Sequence, residues 1–185
     1  MKQQTTTKDL VFVALFAALT VIGTSIRIPM PAAIGNPFVH LGNSVLLLAV
    51  LLIGYKKGAL AGGLGFAIFD ILNGFALEAP YFLLEAFVVG GVASLVLHRI
   101  TSQKTTSTQI LIVALFASLA KLIMTFLKGI VMVMLTGVSL YPALLASSSS
   151  LFATVINCLT TIIVVTIAYR PLKKIMERFT LQKSL

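Results

Sequence analysis

Six apolar segments follow one another with little polar sequence between them, and this succession restricts the chain more than any single residue does. They cover residues 10–26, 41–53, 59–77, 81–97, 110–135 and 143–169. A bilayer-spanning helix needs roughly 20 predominantly apolar residues. The 185 residues therefore accommodate about six crossings and leave no length for a soluble catalytic or nucleotide-binding domain. Hydrophobic residues make up 58% of the chain, charged residues only 10%, and mean hydropathy is +1.06, more apolar surface than a soluble domain of this size can hide. The expected architecture is all-α, a single compact six-helix transmembrane domain over residues 1–185.

The second segment is short, and its length alone leaves a re-entrant loop open. The distribution of charge decides between the two. A formal charge of +9 would suggest nucleic acid in a soluble protein, but here the basic residues sit between apolar segments, where they set topology. With six crossings and the N-terminus inside, one side collects Lys2, Lys8, Lys56, Lys57, Arg99, Lys104, Arg170, Lys173, Lys174, Arg178 and Lys183, and the outer loops hold only Arg27. A non-crossing second segment would move Lys56 and Lys57 outside. Six spans with both termini cytoplasmic are expected, and no nucleic-acid partner. The loop 29–37, with three prolines and one glycine, cannot continue a helix, and the Ser/Thr-rich stretch His98–Gln109 is the clearest linker. Residues 13–19 and 113–119 are similar, but this echo links spans one and five rather than one and four, so it does not define a repeat.

Charged side chains inside spans are expensive and mark candidate sites. Asp70, Glu85, Lys121 and Lys128 are the four here. At about 1.5 Å per residue, Asp70, Glu85 and Lys128 fall in one layer of the outer half. Lys121, one heptad before Lys128, lies two turns deeper at the level of Asn157. One outcome is a polar pocket open to the exterior, lined by these residues with Asn73, and by His40 and Asn43 at the start of the second span, where Gly42 permits close backbone approach. The other is a set of buried pairs, Glu85 with Lys128 and Asp70 capping nearby backbone, that only hold the bundle together. Phe82, Phe87, Phe126 or Tyr141 would supply a ring face. Ala14 and Ala18, with Ala17 alongside, form a small-residue stripe suited to close helix contact, either within the bundle or with a partner.

Other chemistries find little support. His40 and His98 fall on opposite sides, Cys158 is the single cysteine, and no ligand spacing for a metal is present. No Walker-type loop occurs, so no cofactor or energy source is expected within the chain. Asp70 and Glu85 as an intramembrane acid dyad are disfavoured by the opposing lysines.

Several segments together carry a resemblance: Ala14-Leu15-Phe16-Ala17-Ala18, His40-Leu41-Gly42-Asn43, and the run from Gly54-Tyr55-Lys56-Lys57 through Gly62-Gly63 to Asp70. In this order and six-span setting the chain resembles a substrate-binding (S) component of the energy-coupling factor (ECF) vitamin transporters. The resemblance implies a non-enzymatic subunit of a bacterial plasma membrane transporter that binds a vitamin from outside and topples to release it. It also implies that Ala14 and Ala18 dock onto a membrane coupling (T) protein driven by two ATPase subunits. The subgroup it is most similar to is assigned hydroxymethylpyrimidine or pyridoxine, with riboflavin behind them. Thiamine is disfavoured because the chain has no Trp. A self-sufficient carrier and an intramembrane enzyme are the alternatives.

Overall fold

Two sequence boxes start two of the helices. Thr6 accepts from the Asp9 amide while Asp9 accepts from the Thr6 amide, opening α1 (Thr7–Ser25), and Thr106 with Gln109 repeats the arrangement at α5 (Ser107–Met134). Each box satisfies amide donors that the first helical turn leaves unpaired. In a computed structural model that describes residues 6–31, 37–101 and 105–181, the remaining helices are α2 (Gly42–Ile53), α3 (Tyr55–Leu72), α4 (Ala79–Ile100) and α6 (Leu140–Leu181). A 3₁₀ turn, Ala76–Glu78, precedes α4.

Six helices stand where six segments were expected, with shifted ends. The third begins inside the basic turn and ends at Leu72 rather than residue 77, because Gly74 takes a left-handed conformation with φ 83°. The sixth continues past residue 169 through Pro171 for another three turns. At 42 residues α6 is about 63 Å long, so its basic end passes well beyond a hydrocarbon layer of about 30 Å. Four helices, α1, α4, α5 and α6, are long and apolar enough to cross a membrane on their own composition. The other two fall short because α2 has 12 residues and α3 carries Lys56, Lys57 and Asp70.

The proline-rich loop holds two strands too short to be signalled by sequence. β1 (Arg27–Pro29) and β2 (Phe38–His40) pair antiparallel, with Ile28 opposite Val39. The Leu41 amide donates to the Gly23 carbonyl at 2.9 Å, tying β2 to the end of α1.

Around the bundle the helices run α1, α3, α4, α5, α6, α2 and back to α1, with α2 also against α3 and α4. Lipid is as apolar as leucine, so such a bundle depends on close packing rather than on a hydrophobic drive between helices. Gly58 shows the mechanism: a Cβ there would overlap the backbone of Ala49 and Val50, so α2 and α3 touch backbone to backbone. At the α1–α3 contact a Cβ on Gly65 would come within 2.6 Å of the Ala17 carbonyl oxygen. Thr20 and Thr24, both buried on α1, donate to the carbonyls of Phe16 and Thr20 and so bury no free hydroxyl there. Leu15, Leu19, Phe116, Leu119, Ile123, Leu159 and Ile163 are exposed on the outer faces, where acyl chains would cover them.

Candidate functional site

The alternation of the helices brings the ends of α1, α3 and α5 and the starts of α2, α4 and α6 to the side of the bundle that carries β1 and β2. A cavity of about 230 Å³ opens there, lined from α1, β2, α2, α3, the 3₁₀ turn, α4, α5 and α6. Among the described residues, the Lys and Arg of the helix ends lie away from it except for Arg27. Lys2, Lys104 and Lys183 lie outside the described residues.

The charges form two pairs, one deep and one shallow. Glu78 and Glu85 are one heptad apart at the start of α4, and Lys121 and Lys128 are one heptad apart on α5. Because α4 and α5 run in opposite directions, the deeper members meet and the shallower members meet. Lys121 pairs with Glu85, which is buried and also accepts from the Tyr81 hydroxyl at 2.7 Å. Lys128 pairs with Glu78 in a more exposed position. The pairing of Glu85 with Lys128 expected as the structural alternative is therefore corrected. Glu85 sits at the depth of Lys121, and the 3₁₀ turn delivers Glu78 to Lys128.

Aromatic rings wall the hollow. Phe82 lies between the two ammonium groups, 5.2 Å from Lys121 Nζ and 4.6 Å from Lys128 Nζ by ring centroid. From it the rings continue through Phe66 at 6.0 Å and His40 at 5.9 Å to Phe38 at 5.2 Å. Of the four rings proposed from sequence, Phe82 lines the cavity. Phe87 instead packs edge-on against Tyr55, and Tyr141 is exposed. Phe126 is not among the lining residues.

His40 Nδ1 accepts from the Gly42 amide at 3.1 Å. Because Nδ1 accepts this bond, the ring is the neutral tautomer with its proton on Nε2. This approach requires a glycine, since a Cβ at position 42 would fall 2.9 Å from His40 Nδ1 and 2.8 Å from the Phe66 ring.

Two buried polar groups on the lining lack hydrogen-bond partners: Asp70 Oδ2 and Asn43 Nδ2, an acceptor and a donor. Buried polar atoms normally find partners, so their place on the wall of a hollow matters. Asn157 also lines the cavity, but its amide is engaged. Its Oδ1 accepts from the His40 amide at 2.8 Å and its Nδ2 donates to the Phe38 carbonyl at 2.9 Å, holding β2 at both ends. Asn73 lies off the lining, accepting from Arg27 at 3.2 Å and donating to the Phe69 carbonyl. Glu78, Thr125, Ser150 and Thr154 line the hollow and were not foreseen. Glu78 was detectable as the acidic residue one heptad before Glu85.

On the outer face of α1, Ala14 and Ala18 are exposed, whereas Ala17 is buried in the bundle. Ala17 is thus corrected from a docking position to a packing one, because its side of the helix meets Gly65 of α3. Among the described residues no group of three His, Cys, Asp or Glu comes together as metal ligands.

A multi-pass bundle with a polar, ring-walled hollow at one end defines a membrane-embedded solute-binding protein. A solved S component of a bacterial ECF transporter has the same fold, with a TM-score of 0.65 at 20% identity over 91% of this chain and 97% of that one. The chain belongs to the family of S components of ECF-type riboflavin transporters, whose model matches residues 4–174. No curated protein matches it. It is accordingly a substrate-binding transport subunit and not an enzyme.

Proposed function

We propose that the chain captures a flat, hydroxylated heterocyclic vitamin from the outer face of the cell membrane and hands it inward when coupled to a T component and two ATPase subunits. The cavity is the substrate site in this scheme, with the N-terminus cytoplasmic. The concentration of Lys and Arg at the helix ends opposite the hollow supports that orientation. The observation that carries the proposal is the juxtaposition of a ring wall, Phe82, Phe66 and Phe38, with the unpartnered polar atoms of Asp70 and Asn43 in one hollow. The rings offer stacking area, and the polar atoms offer one acceptor and one donor to a ligand. Lys121, Lys128 and His40 complete the polar edge, Glu85 holds Lys121 from behind, and Asn157 positions β2.

Riboflavin is the first candidate, on the family's description. Hydroxymethylpyrimidine or pyridoxine is the second. It is favoured by a volume of about 230 Å³, at or below the lower end of the few-hundred Å³ scale of small-molecule sites. Mass spectrometry of the ligand carried by the purified protein, with calorimetric titration of each candidate, separates them. Glu85→Ala and Lys128→Ala each weaken binding at least tenfold, about 1.4 kcal/mol. Unchanged affinity in both would remove the cavity from the account. Ala14→Trp abolishes co-purification with an ATP-hydrolysing module and leaves ligand binding intact, since Ala14 is exposed and far from the hollow. Vitamin uptake by this chain alone in proteoliposomes would instead make it a self-sufficient carrier.

A further inference from the structure

Beneath the hollow lies a second, smaller cavity of about 20 Å³. Asn43 and Lys121 line both cavities. The other side chains around the inner one, Leu47, Val89, Ser118 and Cys158 among them, come from farther along α2, α4 and α6 and from earlier on α5. Since α2, α4 and α6 start at the strand-bearing end and α5 finishes there, these positions lie deeper in the bundle, about a turn inward of the Lys121–Glu85 pair. We infer that this inner cavity is a binding site for a single buried water, which braces Asn43 and Lys121 from behind where they face the solute. Only the bracing rests on the hollow being the substrate site.

Two buried polar atoms on the wall carry the inference. A serine inside a helix ordinarily turns its hydroxyl back to a carbonyl one turn earlier, as Ser148 does here, and Thr160 likewise. The Ser118 hydroxyl makes no such bond although the residue is buried. Asn43 Nδ2 is the second unpartnered atom. It bears two protons, so one can serve the hollow and the other the inner cavity. The Lys121 ammonium bears three, and Glu85 engages it from α4.

These groups match one water in number and in polarity. A water accepts from Asn43 Nδ2 and from Lys121 Nζ and donates to Ser118 Oγ, the three bonds typical of a buried water. It needs roughly 10–15 Å³ of room, and the cavity supplies about 20 Å³. A void walled only by apolar groups stays dry, whereas this one presents an amide, a hydroxyl and an ammonium. The ammonium repels a cation, and Glu85 behind it offsets its pull on an anion.

Cys158 supplies the probe, because it borders the inner cavity, is buried, and does not line the hollow. Under X-ray radiolysis of the purified full chain, a water held there yields hydroxyl radical beside the sulfur, so Cys158 is oxidised although it is shielded from bulk solvent. Ser118→Val removes the acceptor and fills the space. It should lower Cys158 oxidation at least fivefold and weaken riboflavin binding at least threefold, although Ser118 is not on the wall of the hollow. In the unaltered protein, solid-state NMR transfer from water protons should reach the Ser118 side chain, a readout that needs no variant to fold. Absence of that transfer, or equal Cys158 oxidation in wild type and variant, would overturn the water site. Lost oxidation with unchanged riboflavin affinity would overturn the bracing. A wild type that binds neither riboflavin nor pyridoxine would instead overturn the proposed function, while the two water readouts would still decide the inner site.

Discussion

Removing the ammonium of Lys121 while keeping Glu85 is the most demanding perturbation of this site. Glu85 is 2% exposed and has two partners, Lys121 and the Tyr81 hydroxyl. In Lys121→Met the carboxylate keeps only the hydroxyl, a bond to a charged group worth about 1.5–3 kcal/mol. Breaking a buried pair by deleting one partner costs about 3–5 kcal/mol. For a chain of this size about 1 kcal/mol moves Tm by about 2–4 °C, so the single variant should melt on the order of 6–20 °C lower. Adding Glu85→Gln removes the orphaned charge and still leaves an acceptor for Tyr81, so the double variant should recover to within about 5 °C of the wild type. Cys158 provides the assay. It is the chain's one cysteine, buried, with its thiol donating to the Ser118 carbonyl, so a thiol-reactive fluorophore reports its exposure on unfolding. A double variant that loses the sum of the two single losses would show that Glu85 and Lys121 are not energetically coupled, and the deep-pair description would fail.

Further outcomes follow from other contacts. Gly58→Ala forces α2 and α3 apart at backbone level and should abolish a cooperative melt, whereas the same change at Gly54, whose added Cβ meets no neighbour within 4 Å, costs only the backbone strain of its positive φ. Asn157→Ala removes both bonds to β2 and is expected to cost about 1–3 kcal/mol. It should also raise proteolytic cleavage within residues 27–40, and unchanged cleavage would refute the anchoring role.

Much of this architecture is legible in sequence because lipid imposes one pattern on every span. Six apolar segments became six helices, and the span-embedded Asp70, Lys121 and Lys128 all came to one hollow, with Glu85 bonded to one of its members. Pairing was less legible. Charge type and depth permit Glu85 to meet either lysine, and only the register of α4 against α5, with Glu78 delivered by an irregular turn, decides. Facing was hidden as well: α1 is apolar on all sides, so nothing in Ala14, Ala17 and Ala18 distinguishes the alanine that packs on α3 from the two that do not. Asn73 and Asn157 are both amides near the right depth, but their roles depend on Arg27 and on the β2 backbone, partners remote in sequence. Three-residue strands among prolines leave no periodicity to detect.

The brevity of α2 has a consequence for the volume above it. Its 12 residues rise about 18 Å, leaving roughly 12 Å of a hydrocarbon layer about 30 Å deep that no helix fills at this position. A full-length helix there would put side chains into the cavity that β2 and the start of α2 line, so the hollow takes the room of turns this helix lacks. Carrying α2 one turn further back in place of β2 would therefore close the chamber, and a longer, more regular protein would be a blind one.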